Sequence, residues 1–383
     1  MLTPRERVMT AMNRGIPDRV PKYADFSPGI YERFLVESGF GLPEGAIEEA
    51  KGRPMVAFQD EPGLPDPADY FGYDVRVVEY GETNRDTDFW HYFDPQKLPE
   101  GRSRIDEWGI AYVRGSVFHF EEMVHPMANF SSIEELEQYP WPDVTAPYRR
   151  EKARSRIKQV HERDLAVLAW PPMKGGTFFE TAWGLRGFEQ MMLDMVMDAK
   201  FAACLLDKIA EFSVSNARYF AGAGADIILT GDDFGMQERM IISPDMWREW
   251  FKPRYARLIA GAKAVNPDVL IFYHSDGMIE PIIPDLIEIG VDILNPVQPE
   301  CMDPVSLKEQ YGDRLAFWGT IGTQSTMPFG TPESVRETVK ERIETVGRDG
   351  GLLLAPTHKL EPDVPWENVL AFFEAVEKYG SYA

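Results

Sequence analysis

The residues VLIFYHSDG (269–277) carry the clearest indication of fold class in this sequence. The first five of these residues are apolar, and such a run without polar alternation is typical of a strand covered on both faces in a parallel sheet. His274 and Asp276 follow at the C-terminal end of this predicted strand. In α/β barrels the catalytic side chains come from that end of the strands. The stretch therefore predicts a buried parallel strand that leads into a functional site.

Similar runs recur along the chain and alternate with helix-like segments, as in a sheet built from βα units. Three of the helix-like segments begin with a side-chain cap before a proline, at Ser243, Asp303 and Thr331. The other predicted strands cover residues 20–26, 75–80, 165–170, 226–230, 291–295, 315–319 and 351–355. The predicted helices cover residues 29–38, 188–221, 244–265, 332–347 and 365–379. The alternation predicts one (β/α)₈ TIM barrel, a single domain over residues 1–383.

One region departs from this alternation. Residues 86–141 are predicted to be an insertion in the barrel domain, because residues 108–120 (WGIAYVRGSVFHF) show the aromatic alternation of a β-hairpin. The insertion would form a lid or a surface for a partner, or it would only cover one end of the barrel. The pattern leaves these alternatives open.

Composition narrows the class of protein. The chain is 44% hydrophobic and 27% charged, which is the balance of a globular domain, and its net charge of −22 disfavours nucleic acid and anionic membranes as partners. The acidity is explained by solubility or by attraction to a cationic partner. Cys204 and Cys301 show no disulfide or cysteine-zinc spacing, and no apolar run reaches the roughly 18 residues that a membrane span needs. A cytoplasmic protein is expected, and a homodimer is left open.

The polar residues that end the predicted strands are the candidate site residues. Two strand-end histidines with a carboxylate suit a zinc ion, although a lone histidine is more often a structural residue. Asp232 and Asp233 are adjacent, so they point in different directions, and only one is expected to face the site. The metal ligands are predicted to be His274, Asp276 and His358; the catalytic residues Asp25, Lys174, Asp232 and Asp233; and the substrate-binding residues Trp170, Gln298 and Thr320.

Several motifs of other enzyme classes are absent from the sequence. It contains no GxxxxGK[ST] loop, no strand-linked GxGxxG, no GxSxG and no HExxH. P-loop nucleotide binding, Rossmann redox chemistry, α/β-hydrolase chemistry and zincin chemistry therefore have no support.

Taken together, several stretches resemble the uroporphyrinogen decarboxylase superfamily over essentially the whole chain. They are TPRERVMTAMNRGIPDRVP (3–21), GADIILTGDDFG (224–235), SPDMWREWFKPRYARLI (243–259), FYHSDG (272–277), WGTIG (318–322) and APTHKLEPDVPWENV (355–369). The resemblance implies a (β/α)₈ barrel with its site at the strand C-termini.

The superfamily contains two kinds of enzyme, and the chain departs from both patterns. The true decarboxylases carry an arginine-rich segment of the form MRQAGRY, where this chain has KYADFSPGIYERF (22–34). The cobalamin-dependent methyltransferases hold zinc with an HxC pair and a later cysteine. By resemblance, Asp276 and His358 stand at those two cysteine positions, after His274.

The resemblance thus implies a methyltransferase nearer the second branch. It would move a methyl group between a small methylated, for example methoxylated, substrate and a corrinoid. Because no DxHxxG corrinoid motif occurs, the corrinoid is expected on a separate protein. The alternatives are a decarboxylase or lyase for a small carboxylic acid or tetrapyrrole, and a non-catalytic binding barrel.

Overall fold

A computed structural model describes residues 1–41, 64–94, 96, 98–99, 103–114, 121–171 and 174–382. This part of the chain holds two sheets. The strands are β1 (Val75–Glu79), β2 (Ser103–Ile105), β3 (Ala111–Arg114), β4 (Glu121–Val124), β5 (Ala166–Trp170), β6 (Ile227–Gly231), β7 (Leu270–His274), β8 (Ile293–Asn295), β9 (Ala316–Ile321) and β10 (Leu352–Pro356).

The larger sheet is parallel and has seven strands in the order β1-β5-β6-β7-β8-β9-β10. Each strand of this sheet therefore pairs with the strand of the same sheet that comes next in the chain. Helical segments lie between most of these strands, as in a TIM-barrel-like fold. The apolar residues of these strands are almost all buried, which confirms the prediction from the continuous apolar runs. The strand C-termini, where the polar residues stand, lie at one edge of the curled sheet.

The predicted first strand, residues 20–26, lies beside β10. The backbone N–H of Tyr23 donates to the carbonyl of Leu354 (3.0 Å), and the N–H of Leu354 donates to that of Pro21 (2.9 Å). These contacts form isolated bridges rather than a continuous ladder. On the side of β1, the N–H of Lys22 donates to the carboxylate of Asp74 (3.3 Å). The segment thus extends the sheet beyond β10 and brings residue 25 to the same edge as the other strand ends.

The helices follow the predicted order. The three predicted caps are confirmed, because Ser243, Asp303 and Thr331 each accept a hydrogen bond from a backbone N–H in the first turn. The helix bounds are Pro4–Met12, Pro28–Glu37, Pro67–Tyr70, Ile133–Gln138, Pro147–His161, Phe179–Arg186, Phe188–Met197, Ala199–Ala223, Pro244–Trp250, Lys252–Lys263, Ile283–Ile289, Pro304–Tyr311, Thr326–Phe329, Pro332–Glu344 and Trp366–Tyr379. None of these helices has the length and apolar character needed to cross a bilayer.

Two helices predicted as continuous are each divided in the structure. The segment 188–221 is interrupted at Asp198, whose side chain caps the second helix by accepting from the N–H of Phe201 (3.2 Å). The segment 244–265 is interrupted at Phe251, and Pro253 stands in the first turn of the helix that follows. Proline lacks the N–H that a continuous helix would use there, which explains the break.

The smaller sheet is antiparallel, in the order β2-β3-β4, and lies between β1 and β5 in the chain. It falls inside the region 86–141 that was predicted as an insertion. Residues 115–120 of the predicted hairpin lie outside the described residues. The insertion boundaries remain a prediction.

A glycine in β6 permits the close approach of β7 that places His274. Gly231 has φ +130°, and a Cβ at this residue would lie 2.0 Å from the carbonyl oxygen of His274. A larger side chain would therefore push the two strands apart.

Candidate functional site

A cavity of about 280 Å³ opens at the C-terminal ends of the parallel strands. Its deeper layer is apolar and its outer layer is polar, a combination typical of small-molecule sites. The apolar layer includes Tyr23, Val77, Leu168, Leu229, Phe272 and Trp318, and the polar layer includes Asp25, Glu180, Asp233, His274, Asn295, His358 and Lys359.

The apolar layer is held together by edge-to-face aromatic contacts. The ring of Trp318 lies 5.5 Å from that of Tyr23 and 5.2 Å from that of Phe272, with interplanar angles of 69° and 86°. Trp170, predicted as a substrate-binding residue, lines the same cavity. The cavity therefore offers aromatic surface to a small ligand.

His274 ends β7 with its imidazole directed into the cavity. Its Nδ1 lies within hydrogen-bond distance of Oδ1 of Asn295 (2.5 Å), and its Nε2 lies 3.5 Å from Oδ1 of Asp233. The Nδ2 of Asn295 in turn donates to the carbonyl of Trp318 (2.9 Å). One ring nitrogen is thus held by β8, while the other faces a carboxylate.

The carboxylates of Asp233 and Asp276 meet His274 from two loops. One ligand atom from each of the three residues lies within 4.8 Å of the other two. Oδ1 of Asp233 also accepts a hydrogen bond from the backbone N–H of Asp276 (2.8 Å), and this contact fixes the two loops relative to each other. Oδ1 of Asp276 is buried and has no hydrogen-bond partner among the residues that the structure describes.

His358, the third predicted ligand, lies on the other side of Asp276. Its Nε2 is 3.9 Å from Oδ2 of Asp276, and its side chain lines the cavity. The tight group of three therefore contains Asp233 beside His274 and Asp276, and His358 stands next to it.

Glu180 is a site residue that the sequence reasoning missed. It lies in the first turn of the helix Phe179–Arg186, lines the cavity, and accepts a hydrogen bond from the N–H of Asp233 through Oε2 (3.0 Å). Burial, together with the charges of Asp233 and Asp232, raises the pKa of Glu180 to about 8. The only sequence signal for Glu180 was that it is an acidic residue in the first turn of a helix, and many helices share this feature.

The two adjacent aspartates diverge, as their spacing predicts. Asp232 is fully buried and does not line the cavity. It accepts hydrogen bonds from the N–H groups of Phe178 (3.0 Å) and Glu180 (3.0 Å), and from the hydroxyl of Tyr255. Asp232 therefore anchors the helix that carries Glu180, while Asp233 faces the cavity.

The electrostatics of the site are dominated by closely spaced acids. Burial lowers the pKa of His274, but Asp233 and Asp276 outweigh this effect and hold it at about 8. Burial raises the pKa of Asp276, against the opposing effect of His274. Three carboxyl groups around one imidazole in a partly enclosed cavity repel one another, and protons or a cation would relieve that repulsion.

Asp25 lies at the same edge, on the segment beside β10. It accepts a hydrogen bond from the hydroxyl of Tyr23 and lines the cavity. Burial raises its pKa to about 6. Asp25 is thus a carboxyl group whose charge state changes just below neutral pH.

Three other predicted residues lie around the cavity without lining its described part. Nζ of Lys174 pairs with Asp106 (2.8 Å), next to the antiparallel sheet. Oε1 of Gln298 accepts from the N–H of Gly277 (2.7 Å) and so holds the turn after Asp276. Thr320 is fully buried, with φ +74°. The structure brings these side chains to the rim of the sheet but not into the cavity.

The donor set fits a divalent metal. An imidazole nitrogen and two carboxylates, one with a buried oxygen that no described residue hydrogen-bonds, are the ligand types and the number that a catalytic zinc takes while leaving a coordination site open. Nδ1 of His274 is in hydrogen-bond contact with Oδ1 of Asn295, and a ligating histidine usually has such a partner for its other ring nitrogen. The residues present are therefore compatible with zinc at His274, Asp233 and Asp276.

Comparison with known proteins gives the following matches. The sequence model of the uroporphyrinogen decarboxylase (URO-D) family matches residues 119–379. The uroporphyrinogen decarboxylase of Psychromonas ingrahamii is 23% identical over 56% of this chain and 58% of its own length. That of Pseudoalteromonas atlantica is 22% identical over 71% of this chain and 74% of its own.

Methyltransferases are also among the similar proteins. A methylated-thiol–coenzyme M methyltransferase of Methanosarcina mazei is 24% identical over 73% of each chain. A solved structure, a methyltransferase from Methanosarcina mazei, has a TM-score of 0.67 and 20% identity, and the match covers 100% of both chains. This structural likeness supports the TIM-barrel-like fold.

Proposed function

Because the chain belongs to the uroporphyrinogen decarboxylase family, we propose that it is a methyltransferase acting between a small methylated substrate and a corrinoid carried by a partner protein. The observation that carries the proposal is the group of Asp233, His274 and Asp276 at the mouth of an aromatic-lined cavity. The similarity to a methylated-thiol–coenzyme M methyltransferase supports it.

The proposed metal is zinc, held by His274, Asp276 and Asp233, with His358 beside them. Zinc supplies a Lewis acid that would polarise the heteroatom carrying the methyl group, such as an ether oxygen. The set lacks the thiolates that the resemblance leads one to expect. With oxygen and nitrogen ligands instead, the metal would be a stronger electrophile than it would be with thiolates. This favours a substrate with a poor leaving group, a methoxylated one for example.

The remaining cavity residues have roles that follow from their places. Trp170 and the apolar layer hold the substrate, and Asp25 accepts a hydrogen bond from a donor on it. When the methyl group leaves, the heteroatom that remains needs a proton. Glu180 lines the cavity as a carboxyl group that is largely protonated at neutral pH, because its pKa is about 8, so it is suited to supply that proton.

Residues outside the cavity act by positioning. Asp232 holds the helix that carries Glu180, and Gln298 holds the turn after Asp276. Lys174 ties the loop after β5 to Asp106. A direct substrate contact for Gln298 and Thr320 stays a prediction.

Decarboxylation of a small carboxylic acid is the second candidate function. Its support is the similarity to two uroporphyrinogen decarboxylases. Against it, the cavity presents Asp25 and Asp233 to a substrate that would itself be an anion. Like charges in a site of this size disfavour the binding of a polycarboxylate.

The proposal is tested with the full chain, zinc, free cob(I)alamin and a panel of methoxylated, S-methylated and N-methylated small molecules. Methylcobalamin formation is followed by its absorbance, and metal content is measured by elemental analysis. We expect zinc near one equivalent and methylcobalamin with at least one class of the panel. His274→Ala should lose both, and the exposed His91→Ala should lose neither.

Two results would overturn the proposal. One is zinc binding that His274→Ala leaves unchanged. The other is the absence of methylcobalamin across the panel together with release of carbon dioxide from a carboxylic acid, which would establish the second candidate.

A further inference from the structure

A chain of hydrogen bonds connects the ends of three adjacent strands around His274. Nδ1 of His274 at the end of β7 contacts Oδ1 of Asn295 at the end of β8 (2.5 Å), and Nδ2 of Asn295 contacts the backbone carbonyl of Trp318 in β9 (2.9 Å). These contacts involve no metal ligand other than His274.

This chain fixes which way the amide of Asn295 points. A backbone carbonyl can only accept a hydrogen bond, so the NH₂ of Asn295 must face Trp318. The amide oxygen must then face His274, and an oxygen acceptor there requires a proton on Nδ1. A neutral imidazole in this setting therefore carries its proton on Nδ1.

The consequence lies on the opposite side of the ring. With the proton on Nδ1, the lone pair of His274 is on Nε2, which lies 3.5 Å from Oδ1 of Asp233. The other tautomer would direct an N–H toward the two carboxylates and leave no imidazole ligand for a cation. The orientation of one amide thus decides whether the three residues can act as a metal site.

We propose that Asn295 is a positioning residue that holds His274 as the Nδ1–H tautomer and thereby makes Nε2 a metal ligand. The inference deepens the proposed function and rests on it only for the metal itself, because the tautomer is a property of the metal-free chain. An acceptor that holds the other ring nitrogen of a ligating histidine orients the ring, and its loss costs about 10–100-fold in metal affinity.

The experiment compares Asn295→Leu, Asn295→Ala and Asn295→Asp with a matched control. The control, Asn368→Leu, removes another buried asparagine, which donates to the carbonyls of Met327 and Gly330 (both 2.8 Å). Two quantities are measured: the tautomer of His274, from ring ¹⁵N shifts in the metal-free protein at alkaline pH, and the zinc affinity, by competition with a chelator.

We expect Asn295→Leu and Asn295→Ala to lose the preference for Nδ1–H and to bind zinc about 10–100-fold more weakly. Asn295→Asp keeps an acceptor for Nδ1, so it should keep the tautomer and most of the affinity, although it cannot donate to Trp318. The control should change neither quantity. Should Asn295→Leu fail to fold, the alanine variant carries the test.

Each possible result has one interpretation. An unchanged tautomer in Asn295→Ala, or an affinity loss in Asn368→Leu equal to that in Asn295→Ala, would overturn the inference. If the wild-type chain binds no zinc, the proposed metal centre fails, and the ¹⁵N shifts still decide whether Asn295 sets the tautomer.

Discussion

Oδ1 of Asp233 lies 3.5 Å from Nε2 of His274, although Asp233 follows β6 and His274 is the last residue of β7. The same oxygen accepts the backbone N–H of Asp276 (2.8 Å), so it is shared between the loop after β6 and the loop after β7. A substitution of Asp233 should therefore alter the positions of both other candidate ligands, His274 and Asp276.

The first prediction concerns which residues bind or support the metal. Asp233→Ala and His358→Ala should each lower zinc affinity by roughly tenfold or more, since even outer-shell losses cost that much. The affinity is measured by competition with a chelator, and the fold by circular dichroism. Wild-type affinity in Asp233→Ala would remove Asp233 from the ligand set, and wild-type affinity in His358→Ala would show that His358 does not support the metal.

The fold could be predicted from the sequence because its signals are local. An apolar run such as 269–274 and a cap such as Ser243 before Pro244 depend on neighbouring residues only. The break at Asp198 was missed because apolar periodicity continues across it, and the capping geometry that ends one helix and begins the next is not visible in that periodicity.

The site could be predicted only in part. The rule that strand ends converge predicted His274, Asp276 and His358 as ligands and Asp233 as a catalytic residue, and these roles stay predictions. It could not identify Glu180, which comes from a helix and reaches the site because Asp232 holds its backbone. Nor could it identify Asn295, whose role depends on a backbone carbonyl of the next strand.

The second prediction uses the raised pKa of Asp25. Burial moves this pKa from an ordinary value of 3.8 to about 6, so the folded protein holds more protons than the unfolded chain between these values. The free energy of unfolding should therefore fall as the pH rises through this window.

Replacing Asp25 removes the cost of burying its charge. At pH 8, the free energy of unfolding of Asp25→Asn should exceed that of the wild type by about 1–2 kcal/mol, less than the full pKa shift would give, because the side chain of Asp25 is only partly buried. At pH 4 the difference should nearly vanish. Urea titrations at the two pH values measure both, and an equal difference at both would contradict the assignment.

The third prediction concerns the two cysteines. Cys204 and Cys301 lie outside the proposed ligand set, and Sγ of Cys301 lies 3.7 Å from Oε1 of Gln298. The double variant Cys204→Ser/Cys301→Ser should keep wild-type zinc content and activity. Loss of zinc in a folded double variant would show that a thiolate is a ligand.

The fourth prediction concerns the loop after β5, where the chain passes directly against two carboxylates. A Cβ at Gly176 would lie 2.2 Å from Oδ1 of Asp232 and 2.5 Å from Oε2 of Glu180. Asp232 cannot give way easily, because two backbone N–H groups and Tyr255 hold it. Gly176→Ala should therefore displace Glu180 from the cavity.

The expected result of Gly176→Ala is a loss of about 1–3 kcal/mol of stability, the usual cost of overpacking, and a fall in methyl-transfer rate of about tenfold or more. The matched control is Gly222→Ala in the helix Ala199–Ala223, where the nearest atom to the new Cβ is Cγ1 of Val265 at 3.2 Å. There alanine should leave activity unchanged and stability equal or higher, since glycine costs up to about 1 kcal/mol in a helix. Thermal unfolding and the cob(I)alamin assay measure the two effects. A Gly176→Ala variant with wild-type activity would show that the place of Glu180 against this loop does not matter for the reaction.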